Sequence, residues 1–379
     1  MSYQDGISRR QFVKIGSATA AIAGLAGLAG CAGGSGSGSA SASASASASA
    51  SASASSAAAG TQTITDLQGD TVEVPTEINK IVDLWHAHNQ VVLMLGAADK
   101  LVGTTDNFKK RPWANAVFPG LANVEALVVG TGAGEVNYEE AFNLEPDVVF
   151  TSDKDVTANC RKQGLTTVNV AFNNYEGLRN DVELTGQVLG GDAVDIAKEW
   201  ADLLDANIAK VEKAMAGVSD ADKVSVLHIA NANALTKVDG VKTIVDEWIK
   251  LAGGKNCLTI EGNMVEVTME DIVNADPQVI IIGGGNEEAV KALMADSAWT
   301  GITAVKNGAV YGNPGGVFAW DRYSGEEALQ VLWAAQKLNP DKFTDVDMVK
   351  ETQDFYKQFY GYTLSADDAQ RMLDGLDPA

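Results

Sequence analysis

Val136-Asn137-Tyr138-Glu139-Glu140-Ala141-Phe142-Asn143-Leu144-Glu145-Pro146-Asp147-Val148-Val149 has a counterpart later in the same chain. It is Val267-Thr268-Met269-Glu270-Asp271-Ile272-Val273-Asn274-Ala275-Asp276-Pro277-Gln278-Val279-Ile280. Val, Glu, Asn, Pro and Val recur in register, 131 residues apart (136 to 267). Each copy reads as the same construction. Asn137 or Thr268 caps a short helix, an acid follows three positions later, and the helix ends near a proline that leads into an apolar strand. A unit repeated at this spacing predicts two lobes of the same architecture.

Outward from the repeat, apolar runs alternate with amphipathic stretches. Ile81–Trp85, Leu101–Gly103, Asp147–Phe150 and Thr166–Val170 read as strands of a first series, with a helix from Asn89 to Leu95. Val224–Ile229, Val279–Ile282 and Ala309–Tyr311 read as a second series. Strands separated by helices imply βα units and buried, mostly parallel sheets. Between the series, Ile196, Ala197, Trp200, Leu203, Leu204, Ile208, Val211 and Met215 keep close to a 3.6-residue period. This stretch, Val194 to Met215, contains no Pro or Gly and predicts one long connecting helix. The expected fold class is therefore α/β: two Rossmann-like lobes with mostly parallel sheets, joined by one long helix. The expected boundaries are 61–190, 191–217 and 218–379.

The amino-terminal segment reads differently. Ser8-Arg9-Arg10-Gln11-Phe12-Val13-Lys14 precedes an uncharged stretch from Ile15 to Gly30. That stretch is too short and too poor in large apolar side chains for a spanning helix of roughly twenty residues. The arginine pair resembles a Tat-pathway signal, whose substrates cross already folded. Leu28-Ala29-Gly30-Cys31 resembles a bacterial lipobox, which implies lipidation at Cys31 and a chain fixed to the outer face of the cytoplasmic membrane. Residues 32–60 are Gly, Ser and Ala almost throughout. Such composition buries no apolar surface and predicts a flexible tether.

Composition narrows the function classes. The net charge is −22; removing Arg9, Arg10, Lys14 and Asp5 with the signal subtracts +2 and leaves −24. So acidic a head argues against nucleic acid or anionic lipid as partner. Cys160 and Cys257 form no CxxC pair and read as free thiols. With three histidines and no G-x-S-x-G or H-E-x-x-H motif, an exported metalloenzyme is a minor alternative. Ile282-Gly283-Gly284-Gly285-Asn286 lacks dinucleotide-binding spacing and reads as a strand-to-helix turn with Asn286 as cap.

Ligands of open α/β sheets sit beyond the carboxyl ends of the strands. That rule selects Trp85, His86 and His88 after the first strand; in an extended segment both imidazoles share a face and could ligate a metal. It selects Asn231 after the strand carrying His228. The loop Thr105–Trp113 sets Asn107, Lys109, Arg111 and Trp113 together as a clamp for carboxylates or an oxyanion. The loop Gly315–Tyr323 offers Trp320, Arg322 and Tyr323, with Trp320 and Arg322 foremost.

Ile64-Thr65-Asp66-Leu67-Gln68-Gly69-Asp70-Thr71-Val72-Glu73-Val74-Pro75, then Lys80-Ile81-Val82, resembles the opening of ABC-importer solute-binding proteins for iron-siderophore, haem or cobalamin. Leu95–Gly103, the paired helix-Pro-strand segments and Glu326–Trp333 continue the resemblance through residues 62–360. It implies two α/β lobes on one helical hinge, a largely preformed cleft, and a monomeric receptor with no resident cofactor. It also implies a permease dimer with ATPase subunits as partner, docked through Glu139 on one lobe and Glu270 on the other. The expected ligand is iron bound to an organic chelator, or haem. Corrinoids and molybdate or tungstate are alternatives, and a ligand sensor using the same fold is a third reading.

Overall fold

The structure is a computed structural model that describes residues 60–130 and 134–379. The signal, Cys31 and nearly all of the tether lie outside the described residues. No helix among the described residues is long and apolar enough to cross a membrane.

A hairpin, Thr61–Thr65 with Thr71–Pro75, opens the described chain. The first lobe is a six-stranded sheet in the order Glu135–Val136, Glu125–Val129, Leu101–Thr105, Ile81–Asp83, Val148–Thr151, Thr167–Asn169. Its neighbours run parallel except at the Glu135–Val136 edge. The second lobe runs Val265–Glu266, Lys237–Val238, Val224–Ile229, Val279–Ile282, Val310–Gly312, with Gly254–Asn256 also paired to Val224–Ile229. Its central pairs are again parallel. Ile81, Val82, Val148, Val149, Ile280 and Ile281 are fully buried, as strands covered by helices on both faces must be.

The connecting helix spans Asp192–Ala214. Trp200, Leu204 and Val211 face the core, at the spacing the period predicts. The helix is fastened to the start of the second-lobe helix Glu327–Leu338: Trp200 Nε1 donates to the Gly325 carbonyl (2.8 Å), and Asn207 Nδ2 to that of Ala328 (2.8 Å).

The repeat holds at backbone level. Asn137 accepts from the Glu140 N–H, and Thr268 from the Asp271 N–H in a reciprocal capping box. Glu145 (φ +50°) and Asp276 (φ +41°), each just before the proline, both take left-handed backbone. That conformation is uncommon for a residue other than glycine, and finding it twice at one spacing is strong evidence of one structural unit used twice. Glu139 and Glu270 are both exposed.

Candidate ligand-binding cleft

Segments leaving the carboxyl ends of the strands meet between the lobes. Trp85 follows Ile81–Asp83, Phe172 follows Thr167–Asn169, and Tyr323 follows Val310–Gly312 on the other lobe. Their rings form a triangle: Trp85–Phe172 5.3 Å, Trp85–Tyr323 5.7 Å and Phe172–Tyr323 5.6 Å between centroids. These are ordinary edge-on and tilted aromatic contacts, so the walls touch here. Tyr323 has φ +57°, a strained conformation for a bulky side chain. Its hydroxyl accepts from Asn263 Nδ2 (3.1 Å).

Beside the triangle lies a cationic corner. Arg111 caps the helix Pro112–Val117 and sets its guanidinium 3.8 Å above the ring of Phe318 from the opposite lobe. Among the described residues its one hydrogen-bond partner is Asn107 Oδ1 at 3.4 Å, and its buried Nε has none. Burial pulls this guanidinium down to about 10, against the pull of Glu326 and Asp321. His86 packs on the same Phe318 ring at 5.7 Å. Burial, then the nearby Arg111 charge, push its imidazole down to about 4, so it is neutral at neutral pH. A cation beside a neutral imidazole donor offers hydrogen bonds of the kind that an anion accepts.

Arg322 has a different role. Its Nη2 donates to Asp239 (2.8 Å) and Asp321 (3.0 Å), and His228 Nδ1 lies 2.8 Å from the same Asp239 carboxylate. His228 Nε2 lies 3.2 Å from Asp321. Burial pushes the Asp321 carboxyl up, but the Arg322 guanidinium and His228 outweigh it and hold the group well below the usual carboxylate range. The arginine is thus neutralised within its own lobe. It props the loop that carries Tyr323.

The structure separates several residues that the sequence groups. His86 and His88 do not share a face, because the chain turns after Asp83, with the His88 N–H donating to the Trp85 carbonyl (2.9 Å). His88 is fully buried, and both ring nitrogens are engaged, by Asp83 (2.7 Å) and Thr185 (2.9 Å). The expected metal pair therefore does not form. Among the described residues no group of three or more His, Cys, Asp or Glu could hold a metal ion. The loop's cations, Lys109 and Arg111 with Lys110 between them, also diverge: Lys109 ends the helix Asp106–Lys109, Lys110 follows as its cap, and Arg111 is extended before the next helix. Lys109 Nζ donates to the carbonyls of Ala122 (3.2 Å) and Val124 (2.5 Å), and Lys110 pairs with Asp106. Only Arg111 reaches across the cleft.

Trp113 and Trp320 are core residues rather than cleft residues. Trp113 donates to the Leu376 carbonyl (2.9 Å). Phe318, two residues earlier, takes the place expected for Trp320. Asn231 caps its own turn, accepting from the Asn233 N–H (2.7 Å). Phe172, Phe318, Asp239 and Asp321 escaped the sequence reading. Of these, Phe172 was within reach of the strand-end rule, lying three residues beyond Asn169.

A family model described as periplasmic binding protein matches residues 81–315. The molybdate-binding protein MolA of Haemophilus influenzae is 29% identical over 341 residues, covering 81% of this chain and 93% of that protein. An uncharacterized ABC transporter substrate-binding lipoprotein of Bacillus subtilis, YvrC, is 25% identical, covering 66% of this chain and 77% of its own length. A crystal structure of a periplasmic solute binding protein from Veillonella parvula superposes with a TM-score of 0.72 at 27% identity, covering 83% of this chain and 96% of that one. The chain belongs to the periplasmic binding protein family.

Proposed function

We propose that this protein captures a small oxyanion of the molybdate or tungstate class between its lobes and hands it to an ABC permease. The observation that carries this reading is Arg111, a half-buried arginine with no ion-pair partner among the described residues, beside a neutral imidazole. In so acidic a protein a cation at a cleft without an ion pair of its own selects for negative charge. The molybdate named for the Haemophilus influenzae relative supports the same class. The touching walls of the cleft also favour a small ligand. A haem or corrinoid macrocycle would have to part Trp85 from Tyr323, whereas a tetrahedral anion needs only Arg111 and His86.

A second reading, an iron chelate, is favoured by the Trp85–Phe172–Tyr323 triangle, which offers ring faces to an aromatic chelator. Equilibrium dialysis with elemental analysis separates the two. Retention of molybdate or tungstate, with sulfate and phosphate excluded, is the expected result; retention of ferric chelates alone would overturn it.

The same proposal covers attachment and delivery. Lipidation at Cys31 would hold the head at the membrane, in line with the lipoprotein description of YvrC. Glu139 and Glu270 would meet the permease, one from each lobe. Release of a Cys31→Ala variant into the medium is expected, and retention at the membrane would count against the anchor.

A further inference from the structure

Behind the Trp85–His86 wall lies a buried cluster that ligand contact does not use. Asp83 ends the strand Ile81–Asp83, and its Oδ1 accepts the Trp85 N–H (3.0 Å), which fixes the turn presenting Trp85 and His86. Its Oδ2 lies 2.7 Å from His88 Nδ1. The other nitrogen of His88 lies 2.9 Å from Thr185 Oγ1 and 3.4 Å from Asp181 Oδ1. Asp83, His88 and Asp181 are all fully buried, and neither carboxylate oxygen of Asp181 has a hydrogen-bond partner. The His88 ring lies parallel to that of Trp85 (6.5 Å, 3°).

We propose that His88 is a positioning residue for ligand capture, holding the Trp85–His86 wall through Asp83, with Asp181 setting its charge. This rests on the cleft reading above and deepens it. An isolated carboxylate in a dry interior neutralises itself by binding a proton. Burial, helped by Asp83 and opposed by His88, pushes Asp181 up to about 7. The charged groups facing it are His88 beside the strand end and Asp83 on the strand; Thr185, one turn along its own helix, is neutral. When Asp181 ionises, His88 gains a charged neighbour at Nε2, and its hold on Asp83 at Nδ1 is shared. A negative charge also enters the lobe behind an anion site, so oxyanion binding weakens as pH rises through neutrality.

The test uses the full chain and two readouts. The first needs no ligand: tryptophan emission is titrated between pH 5.5 and 8.5, and the difference between the native protein and Trp85→Phe isolates Trp85 from the other six tryptophans. That signal should titrate near neutrality in the native protein and be flat in Asp181→Asn. The second is molybdate affinity by calorimetry over the same range. It should fall several-fold with rising pH in the native protein and become pH-independent in Asp181→Asn. His88→Gln, shown folded by circular dichroism, should bind about tenfold more weakly. Native titrations surviving in Asp181→Asn, or unchanged affinity in a folded His88→Gln, would overturn the proposal. If the native protein binds no molybdate at any pH, the ligand reading falls and the emission titration decides the relay independently.

Discussion

Asp83 and His228 occupy the same register position in the two lobes. Asp83 pairs beside Phe150 and His228 beside Ile281, and those partners are 131 residues apart (150 to 281), the spacing of the Glu139 and Glu270 copies. At that shared position one strand carries the acid and receives a histidine, His88, from the turn after it. The other carries the histidine and receives an acid, Asp239, from the chain after a neighbouring strand. The contact survives with its partners exchanged. In both lobes it supports a loop of the cleft wall, the Trp85–His86 turn in one and the Arg322–Tyr323 segment in the other. The lobes differ in balance, because Arg322 neutralises the second cluster and, among the described residues, no cation other than His88 stands beside Asp181.

That difference predicts unequal costs of mutation. Arg322→Met leaves Asp239 and Asp321 buried with only His228 between them. Breaking a buried ion pair from one side costs about 3–5 kcal/mol. A urea midpoint lowered to match, with the slope unchanged, is expected. A loss below about 0.5 kcal/mol, the range of an ordinary surface substitution, would show that the network carries little of the lobe's stability.

The first lobe should instead respond to pH. Asp181 has its folded pKa raised from 3.8 to about 7, so between those values the folded state binds a proton that the unfolded state has lost. Stability from this group is therefore highest at low pH, and falls as pH rises through about 4 to 7. Asp181→Asn removes the penalty. Its melting temperature should exceed that of the native protein at pH 8, with the gap closing toward pH 5. A gap that widens on acidification would reverse the sign and refute the assignment.

Arg111 separates binding from stability. Charge-assisted hydrogen bonds contribute about 1.5–3 kcal/mol each, so Arg111→Ala should weaken oxyanion binding by about 10- to 100-fold. No ion pair is lost, so the cost in stability should stay within the about 0.5–2 kcal/mol of the cation–π contact with Phe318. Arg111→Lys should not restore affinity, because an ammonium lacks the planar fork. Calorimetry and thermal melts on the same preparations check both halves.

The sheets and the hinge helix were legible because they follow local rules. Val224–Ile229 and Val279–Ile282 have the predicted bounds, and Asn137, Thr268 and Asn286 all serve as caps. The site was less legible because its geometry is set by turns and by distant chain. Three residues of turn after Asp83 send His86 to the cleft and His88 into the core. A helix that stops at Lys109, followed by an extended Arg111, sends the cations different ways and leaves Arg111 to cross. Phe318 and Trp320 stand two residues apart in one loop, and composition cannot say which meets Arg111 and His86.

Delivery should depend on an apolar contact as well as a charged one. Phe142 and Val273 lie three residues after Glu139 and Glu270, the same helical face, and are 53% and 48% exposed. They are equivalent positions of the repeat. Phe142→Asp with Val273→Asp should abolish uptake in cells while leaving ligand affinity unchanged, as should reversing both glutamates. Normal uptake by both double variants would place the permease contact elsewhere.

Trp113 is the donor to a carbonyl 263 residues away, and this long-range bond yields the last prediction. After the helix Ala366–Leu373 the chain turns at Gly375 (φ +66°), where a side chain would strike the Gly285 carbonyl. Leu376 N–H donates back to the Arg371 carbonyl (2.8 Å), and Arg371 Nε to that of Asp377 (2.7 Å). The segment is thus pinned to the second lobe while Leu376 accepts from a first-lobe helix whose cap is Arg111. Trp113→Phe keeps an aromatic side chain, though a smaller one, and removes the donor, leaving the carbonyl unpartnered at about 1–3 kcal/mol. Deleting residues 375–379 removes the acceptor instead. If the two act through one bond, their destabilisations will not add, and the double variant will resemble the deletion alone. Strict additivity in urea unfolding would show that Trp113 and the segment contribute separately, and that this bond does not latch the lobes.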